Sequence, residues 1–246
     1  MALLLYDCIY LLASLLFYGA SGWAATIISQ HAGPTVVALP AAVLGFLLSL
    51  IALAAVACAL LPRLEPGAYE MMKGKVFYGW VFRSLVRRIL WFGPLKTALF
   101  SLNVLRFLSL RAQGARVAFN ASFSSDVEVL DPALLEVGAG AIVGARCFLS
   151  GHWVADGRLV LDRIVVGPQA LLAADVGVMP GVRIGARAFV EPQAGLGRGT
   201  VVGDGARIGR RASLDLGAQV EPGARIAAFA VIRSTGATES AERPPP

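Results

Sequence analysis

Histidine is nearly missing from this 246-residue chain, which has two, His31 and His152. Cysteine numbers three, Cys8, Cys58 and Cys147, widely scattered. That count rules out a disulfide framework and offers no zinc-ligand spacing. Charge is scarce too. Only 15% of residues are Asp, Glu, Lys or Arg, against 57% hydrophobic, and the mean hydropathy of +0.68 is too high for an ordinary soluble domain. Ser122, Ser124, Ser125 and Ser213 have no second base nearby in sequence, which argues against a serine nucleophile. The run Gly195-Leu196-Gly197-Arg198-Gly199 invites a dinucleotide-loop reading, but no helix follows it, and it reads as turn chemistry.

What the chain does have is a period. Positions 166, 172, 178, 184, 190, 196, 202, 208, 214, 220 and 226 are all Val, Leu or Ile. Four places after each stands a compact residue: Ala170, Val176, Val182, Ala188, Ala194, Thr200, Ala206, Ala212, Ala218, Ala224 and Ala230. A short fixed period means a solenoid in which each unit buries its apolar face on its neighbours. Six residues make one short strand and one turn, so three units close a triangular coil with the aliphatic residue inside. Glycines such as Gly181, Gly199, Gly205 and Gly223 lie near the corners, where positive φ is needed. The same spacing links Val117, Phe123 and Val129, slips by two at Asp131-Pro132, resumes at Val137, Val143 and Leu149, and slips again before Val160 and Val166. Five to six coils are expected over 117–231, about 25 Å tall at the spacing of stacked strands. Loops should leave the prism at the two slips, and functional residues favour loops on rigid scaffolds.

The pattern resembles the hexapeptide-repeat family. That resemblance implies a left-handed parallel β-helix, a homotrimer, and acyl transfer from acyl-CoA. The γ-class carbonic anhydrases share the fold but hold zinc with several histidines, and one prism histidine does not build that site, so no metal is expected.

The front of the chain is different material. Residues 3–29 carry one charge, Asp7, and residues 34–62 carry none. Each stretch can cross a hydrocarbon core, which takes about 20 residues. Met1-Ala2-Leu3-Leu4-Leu5 has no basic residue, unlike a signal peptide, and a second span follows at once. Residues 63–116 hold ten basic side chains and two acids, while the loop between the spans has no Lys or Arg. The positive-inside rule then puts both ends of the hairpin and the prism in the cytoplasm, a multi-pass arrangement of the bacterial inner-membrane type. The stretch from Tyr78 through Trp80, Arg83, Arg87, Arg88 and Trp91 to Phe92 reads as an amphipathic helix for the headgroup layer, or as a cap on the prism, or both. A second apolar-basic helix is expected over 95–111. Arginines interleaved with bulky apolar residues beside a span favour lipid, and no nucleic-acid partner is expected. The expected organisation is a transmembrane hairpin over 1–62, basic amphipathic helices over 63–116, the β-helix over 117–231 with a loop excursion at 150–159, and a disordered tail over 232–246.

This arrangement also resembles the membrane-bound repeat unit at the C-terminus of poly-lysine-synthetase-type peptide synthetases and their standalone relatives. The stretches carrying it are Leu64-Glu65-Pro66-Gly67-Ala68-Tyr69, Gly114-Ala115-Arg116-Val117, Asp131 to Gly138, and Gly151-His152-Trp153 followed by Gly167. Three two-helix copies would reproduce the six-helix assembly, with a histidine at each subunit interface. The family's histidine is commonly followed by an acidic and a basic residue. Here the sequence runs Val154-Ala155-Asp156-Gly157-Arg158.

His152 opens the second excursion and is the one imidazole on the prism, whereas His31 belongs to the loop between the spans. Acyl transfer needs a base for the acceptor's proton, and histidine is the side chain that exchanges protons near neutrality unaided. His152 is therefore the candidate catalytic base, with Asp156 or Asp162 to orient it and Trp153 and Arg158 as candidate substrate contacts. The reading is a membrane-embedded homotrimeric acyltransferase that uses acyl-CoA or a carrier-bound thioester as cosubstrate and no tightly bound cofactor. Its acceptor would be a hydroxyl or an amine. Backbone N–H groups of the coil would stabilise the oxyanion. An aminoacyl or peptidyl transferase working with a carrier protein or peptide synthetase, and a non-catalytic trimeric membrane scaffold, are the alternatives.

Overall fold

The computed structural model describes residues 2–33 and 35–233. Most of the expected tail, from residue 234 on, lies outside them, while Ile232 belongs to the last strand. Helices α1 (Ala2–His31) and α2 (Thr35–Leu60) form a hairpin. Both are long and apolar enough to cross a membrane. Leu12, Leu15, Leu16, Trp23, Val36 and Leu39 point outward and are exposed. Phe17, Leu47, Leu50, Ile51 and Ala54 turn inward and join the main core. His31 closes the last turn of α1 rather than sitting in a loop, with its Nδ1 2.8 Å from the carbonyl oxygen of Ile27.

The repeat region is a parallel β-solenoid of six coils, with three sheets of six strands each, from Arg116–Val117 to Val231–Ile232. From Val166 upward, stacked partners lie one 18-residue coil apart: Val166 pairs with Ile184, Leu172 with Val190 and Val178 with Leu196. The aliphatic positions and the compact positions four places on, such as Ala170, Val176 and Val182, are buried in the prism. A corner such as Gly185 has no room for a side chain, because a Cβ there would meet the backbone nitrogen of Asp204 at 2.5 Å.

The two slips have different forms. Between the first two coils the partners are Val117 with Val137 and Val129 with Leu149, a spacing of 20. The two extra residues are absorbed by a 3₁₀ turn, Pro132–Leu134. Between the second and third coils the partners are Val137 with Val166 and Leu149 with Val178, a spacing of 29. Those eleven extra residues form a β-hairpin instead of an open loop, with strands His152–Ala155 and Arg158–Leu161. Its two-residue turn, Asp156-Gly157, has φ of 50° and 68°, the left-handed pair that matches strand twist. Val160, which the period assigned to the coil, lies in this hairpin opposite Trp153. A third antiparallel strand, Gly67–Glu70, comes from the segment after α2 and pairs with Arg158–Leu161.

Beneath the prism run α3 (Gly74–Leu90), α4 (Pro94–Ser101) and α5 (Asn103–Ala112). The single helix expected over 95–111 is broken at Leu102, whose φ of −111° and ψ of 125° are extended. The break redirects the chain so that Leu99 and Phe100 on one side and Leu105 and Leu110 on the other reach the same core. These helices close an open end. Each coil sends N–H groups to carbonyls of the coil above, as Ser122 does to Ala141 and Ser124 to Val143. The first coil's own carbonyls have no coil below them. Arg106, buried on α5, donates to the carbonyl oxygens of Ala121 (3.1 Å) and Phe123 (3.2 Å). Burial lowers its proton affinity from the ordinary value, yet a guanidinium keeps its charge at neutral pH.

Arg106→Met should therefore cost about 2–4 kcal/mol, because two buried carbonyls lose a charged donor. Denaturant unfolding of the detergent-solubilised chain measures this. A change within about 0.5 kcal/mol, the ordinary range for a surface substitution, would show that Arg106 does not cap the base.

Candidate active site

Every departure from the six-residue period converges on one place. The 3₁₀ turn after Asp131, the hairpin that starts at His152, α3 and the Gly67–Glu70 strand pack around a second small core. That core holds Leu64, Phe77, Leu134, Leu159 and Leu161, with Trp80 and Tyr69 against it.

Asp131 sits one coil below Gly151 at the same corner, since Val129 pairs with Leu149. Its side chain is 1% exposed. Three N–H groups close on this carboxylate. Oδ2 takes the backbone N–H of Gly151 (2.9 Å) and the Nδ1 of His152 (2.6 Å), and Oδ1 takes the indole N–H of Trp80 (2.8 Å). Such a shell is what a buried carboxylate requires to remain an anion. A carboxylate only accepts, so Nδ1 of His152 donates to it, and in a neutral imidazole the lone pair then falls on Nε2. The imidazole is 22% exposed, so the site is open on one side.

The ring is held by several contacts. The Trp80 indole meets it edge-on, with centroids 4.9 Å apart. The Ser150 hydroxyl donates to the backbone carbonyl of His152 (2.7 Å). Gly151 has to be glycine here, because a Cβ would lie 2.9 Å from Cβ of Leu134 and 3.2 Å from Cβ of Asp131. The N–H of Asp162 donates to the carbonyl of Gly151 (2.9 Å) and closes the neck of the hairpin.

The residues suggested by proximity in sequence fall elsewhere. Asp156 is in the exposed hairpin turn. The Asp162 carboxylate accepts the N–H of Arg163 (2.7 Å). Arg158 is exposed on the middle strand of the three-stranded sheet, opposite Glu70. Trp153 is exposed, and the Arg198 guanidinium stands 5.3 Å from its ring centroid, so the hairpin leans back along the coil. Neither Asp156 nor Asp162 holds the histidine, and Asp131 does. Trp80, in the stretch read as a headgroup-layer helix, a cap on the prism or both, turns its N–H to Asp131. Two signals pointed this way. Asp131 opens the frame slip, and one coil of about twenty residues separates it from His152.

The cysteine of the prism is poorly placed to act as a nucleophile. Cys147 occupies the compact inward position and is fully buried, and burial pushes its thiol up, away from thiolate. Among the described residues no three His, Cys, Asp or Glu side chains converge as a metal site would need.

No protein-family model and no curated protein matches the chain. Solved structures do. The acetyltransferase domain of PglB from Neisseria gonorrhoeae is 17% identical, with 77% of this chain and 92% of that one covered, at a TM-score of 0.40. A serine acetyltransferase from Entamoeba histolytica is 10% identical, covering 89% of this chain and 74% of that one, at 0.35. A mutant perosamine N-acetyltransferase from Caulobacter crescentus, in complex with CoA and GDP-perosamine, is 20% identical over 54% of this chain, at 0.35. The match spans 59% of that enzyme's length. At these scores the likenesses carry no weight for substrate or mechanism, which have to come from the residues around His152.

With two histidines in the chain, ¹⁵N-imidazole NMR resolves the site directly. In its neutral form the His152 ring should be the Nδ1–H tautomer, and it should lose that preference in Asp131→Asn. An Nε2–H ring in the wild type would contradict the assignment.

Proposed function

We propose that this chain is an acyltransferase in which His152, oriented by Asp131, is the general base. The observation that carries the reading is a partly exposed imidazole whose inner nitrogen is fixed on a buried carboxylate, leaving Nε2 to accept a proton. The hexapeptide-repeat resemblance supplies the substrate class: an acyl-CoA or carrier-bound thioester as donor and a hydroxyl or amine as acceptor. Nε2 takes the proton as the acceptor's oxygen or nitrogen adds to the thioester carbonyl. The carbon–sulfur bond then breaks, and the departing thiolate takes the proton back from the imidazolium. Asp131 keeps the ring in the right tautomer and stabilises its charged form through the transfer. Trp80 and Gly151 act through Asp131 as positioning residues.

In this reading α1 and α2 anchor the chain in a membrane. The basic segment sets the coil on the cytoplasmic side, where acyl-CoA is found. Three copies would pack with each His152 facing a neighbouring subunit, the arrangement the family resemblance implies.

The test is release of free CoA thiol from acetyl-CoA by the purified chain in the presence of a membrane extract that supplies acceptors. His152→Ala should lower turnover by about 10³-fold, within the usual range for a lost general base, while the assembly mass by native mass spectrometry stays unchanged. Trp80→Phe, which removes one donor from Asp131, should lower kcat by about tenfold with little change in KM. Undiminished turnover in His152→Ala would overturn the mechanism.

A further inference from the structure

A cavity of about 710 Å³ opens where the last turns of α2 meet α5 and the first coil. Five arginines line it, Arg63, Arg83, Arg111, Arg116 and Arg163, against one acid, Glu65. Three of these have work within the fold. Arg83 donates to the carbonyl oxygens of Cys58 (2.9 Å), Leu61 (3.3 Å) and Pro62 (3.2 Å), satisfying the C-terminal end of α2. Arg116 and Arg163 share the Glu136 carboxylate, each at 3.1 Å. Arg63 and Arg111 make no ion pair among the described residues. Among the described residues the cavity therefore keeps an excess of positive charge, with Glu65 the one acid in its wall. Guanidinium groups in this number suit a phosphate, which they bind in a forked, two-bond geometry.

The wall is graded. Toward the middle of α2 it is apolar, formed by Ala55, Cys58 and Ala59 over successive turns, and the arginines follow where the helix ends. A free phosphate would match only the charged end. A membrane lipid matches both, with a chain along α2 and its phosphate among the arginines, at the depth where α2 would leave the bilayer. The volume also suits a headgroup, since small-molecule pockets run from about 300 to 1,000 Å³. We propose that this cavity binds the phosphate group of an anionic membrane lipid. The proposal rests on the membrane reading of α1 and α2, and is independent of the acyl-transfer chemistry. Ala133, in the cavity wall, is two residues from Asp131, so an occupant would sit behind the carboxylate that holds His152.

The test uses the full chain, purified in detergent and offered phosphatidic acid or phosphatidylcholine, with retained lipid read by native mass spectrometry. The wild type should retain phosphatidic acid over phosphatidylcholine by about tenfold or more, as expected for several arginines near one phosphate. Arg63→Gln/Arg111→Gln should lose that preference. Arg187→Gln/Arg225→Gln, with the same charge removed from exposed coil positions, should keep it. Equal retention of the two lipids by the wild type, or an unchanged preference in Arg63→Gln/Arg111→Gln, would overturn the proposal. Added inorganic pyrophosphate gives the second arm. Raising the wild type's thermal midpoint where no lipid preference exists would overturn the lipid assignment in favour of a soluble phosphate. Alkaline extraction of the chain from phosphatidylcholine vesicles reports separately on the membrane reading. A chain that resists extraction yet shows no lipid preference sinks this proposal alone.

Discussion

A carboxylate nearly sealed from water must be surrounded by donors, and the shape of this molecule follows from how Asp131 acquires three. One comes from the coil above, as the N–H of Gly151. One comes from the hairpin, as the imidazole of His152, and one from α3, as the indole of Trp80. Removing any of these elements leaves a buried charge short of a partner, which is among the more costly faults a fold can carry. The same carboxylate therefore ties the helices beneath the prism to the prism and sets the orientation of its one histidine. The structural role and the proposed chemical role coincide in a single side chain.

The solenoid supplies rigidity and little else. Where the period runs unbroken, from Val166 to Ile226, each coil repeats the last at the same 18-residue spacing. The site arises where repetition fails, at an insertion of two residues and another of eleven on the same edge of the prism. The segment after α2 completes it with the Gly67–Glu70 strand and the Trp80 face of α3. Arg106 and Arg83 seal the seams of this junction by answering carbonyls that a coil start and a helix end leave open.

The prism was legible because every inward residue obeys one spacing, and both slips showed as shifts of that spacing. His152 was legible because it has no rival on the prism. Its partner was not. Asp156 and Asp162 are near in sequence, while Asp131 is near only once the chain has made a full turn, and that distance is set by the coil length. The hairpin is signalled by Asp156-Gly157 between two apolar runs, Trp153-Val154-Ala155 and Leu159-Val160-Leu161, a strong turn signal. Six-residue spacing alone gives an excursion at 150–159 and leaves Val160 with the coil, whereas Val160 pairs with Trp153 in the hairpin. Trp80 was hidden by its neighbours, because an aromatic residue among arginines beside a membrane span has the composition of an interfacial helix. Nothing in the composition shows that one indole faces the other way. The Leu102 break had no proline or glycine to announce it and follows from packing alone.

The central claim is that Asp131 turns Nε2 of His152 toward a cleft where an acceptor can lose its proton. A cryo-electron-microscopy map of the full chain in a lipid nanodisc tests it most directly. The account predicts that Nδ1 stays on Asp131 while Nε2 faces a groove lined by a second copy of the chain. A ring turned away from Asp131, or an Nε2 open to bulk water with no neighbouring chain beside it, would contradict it.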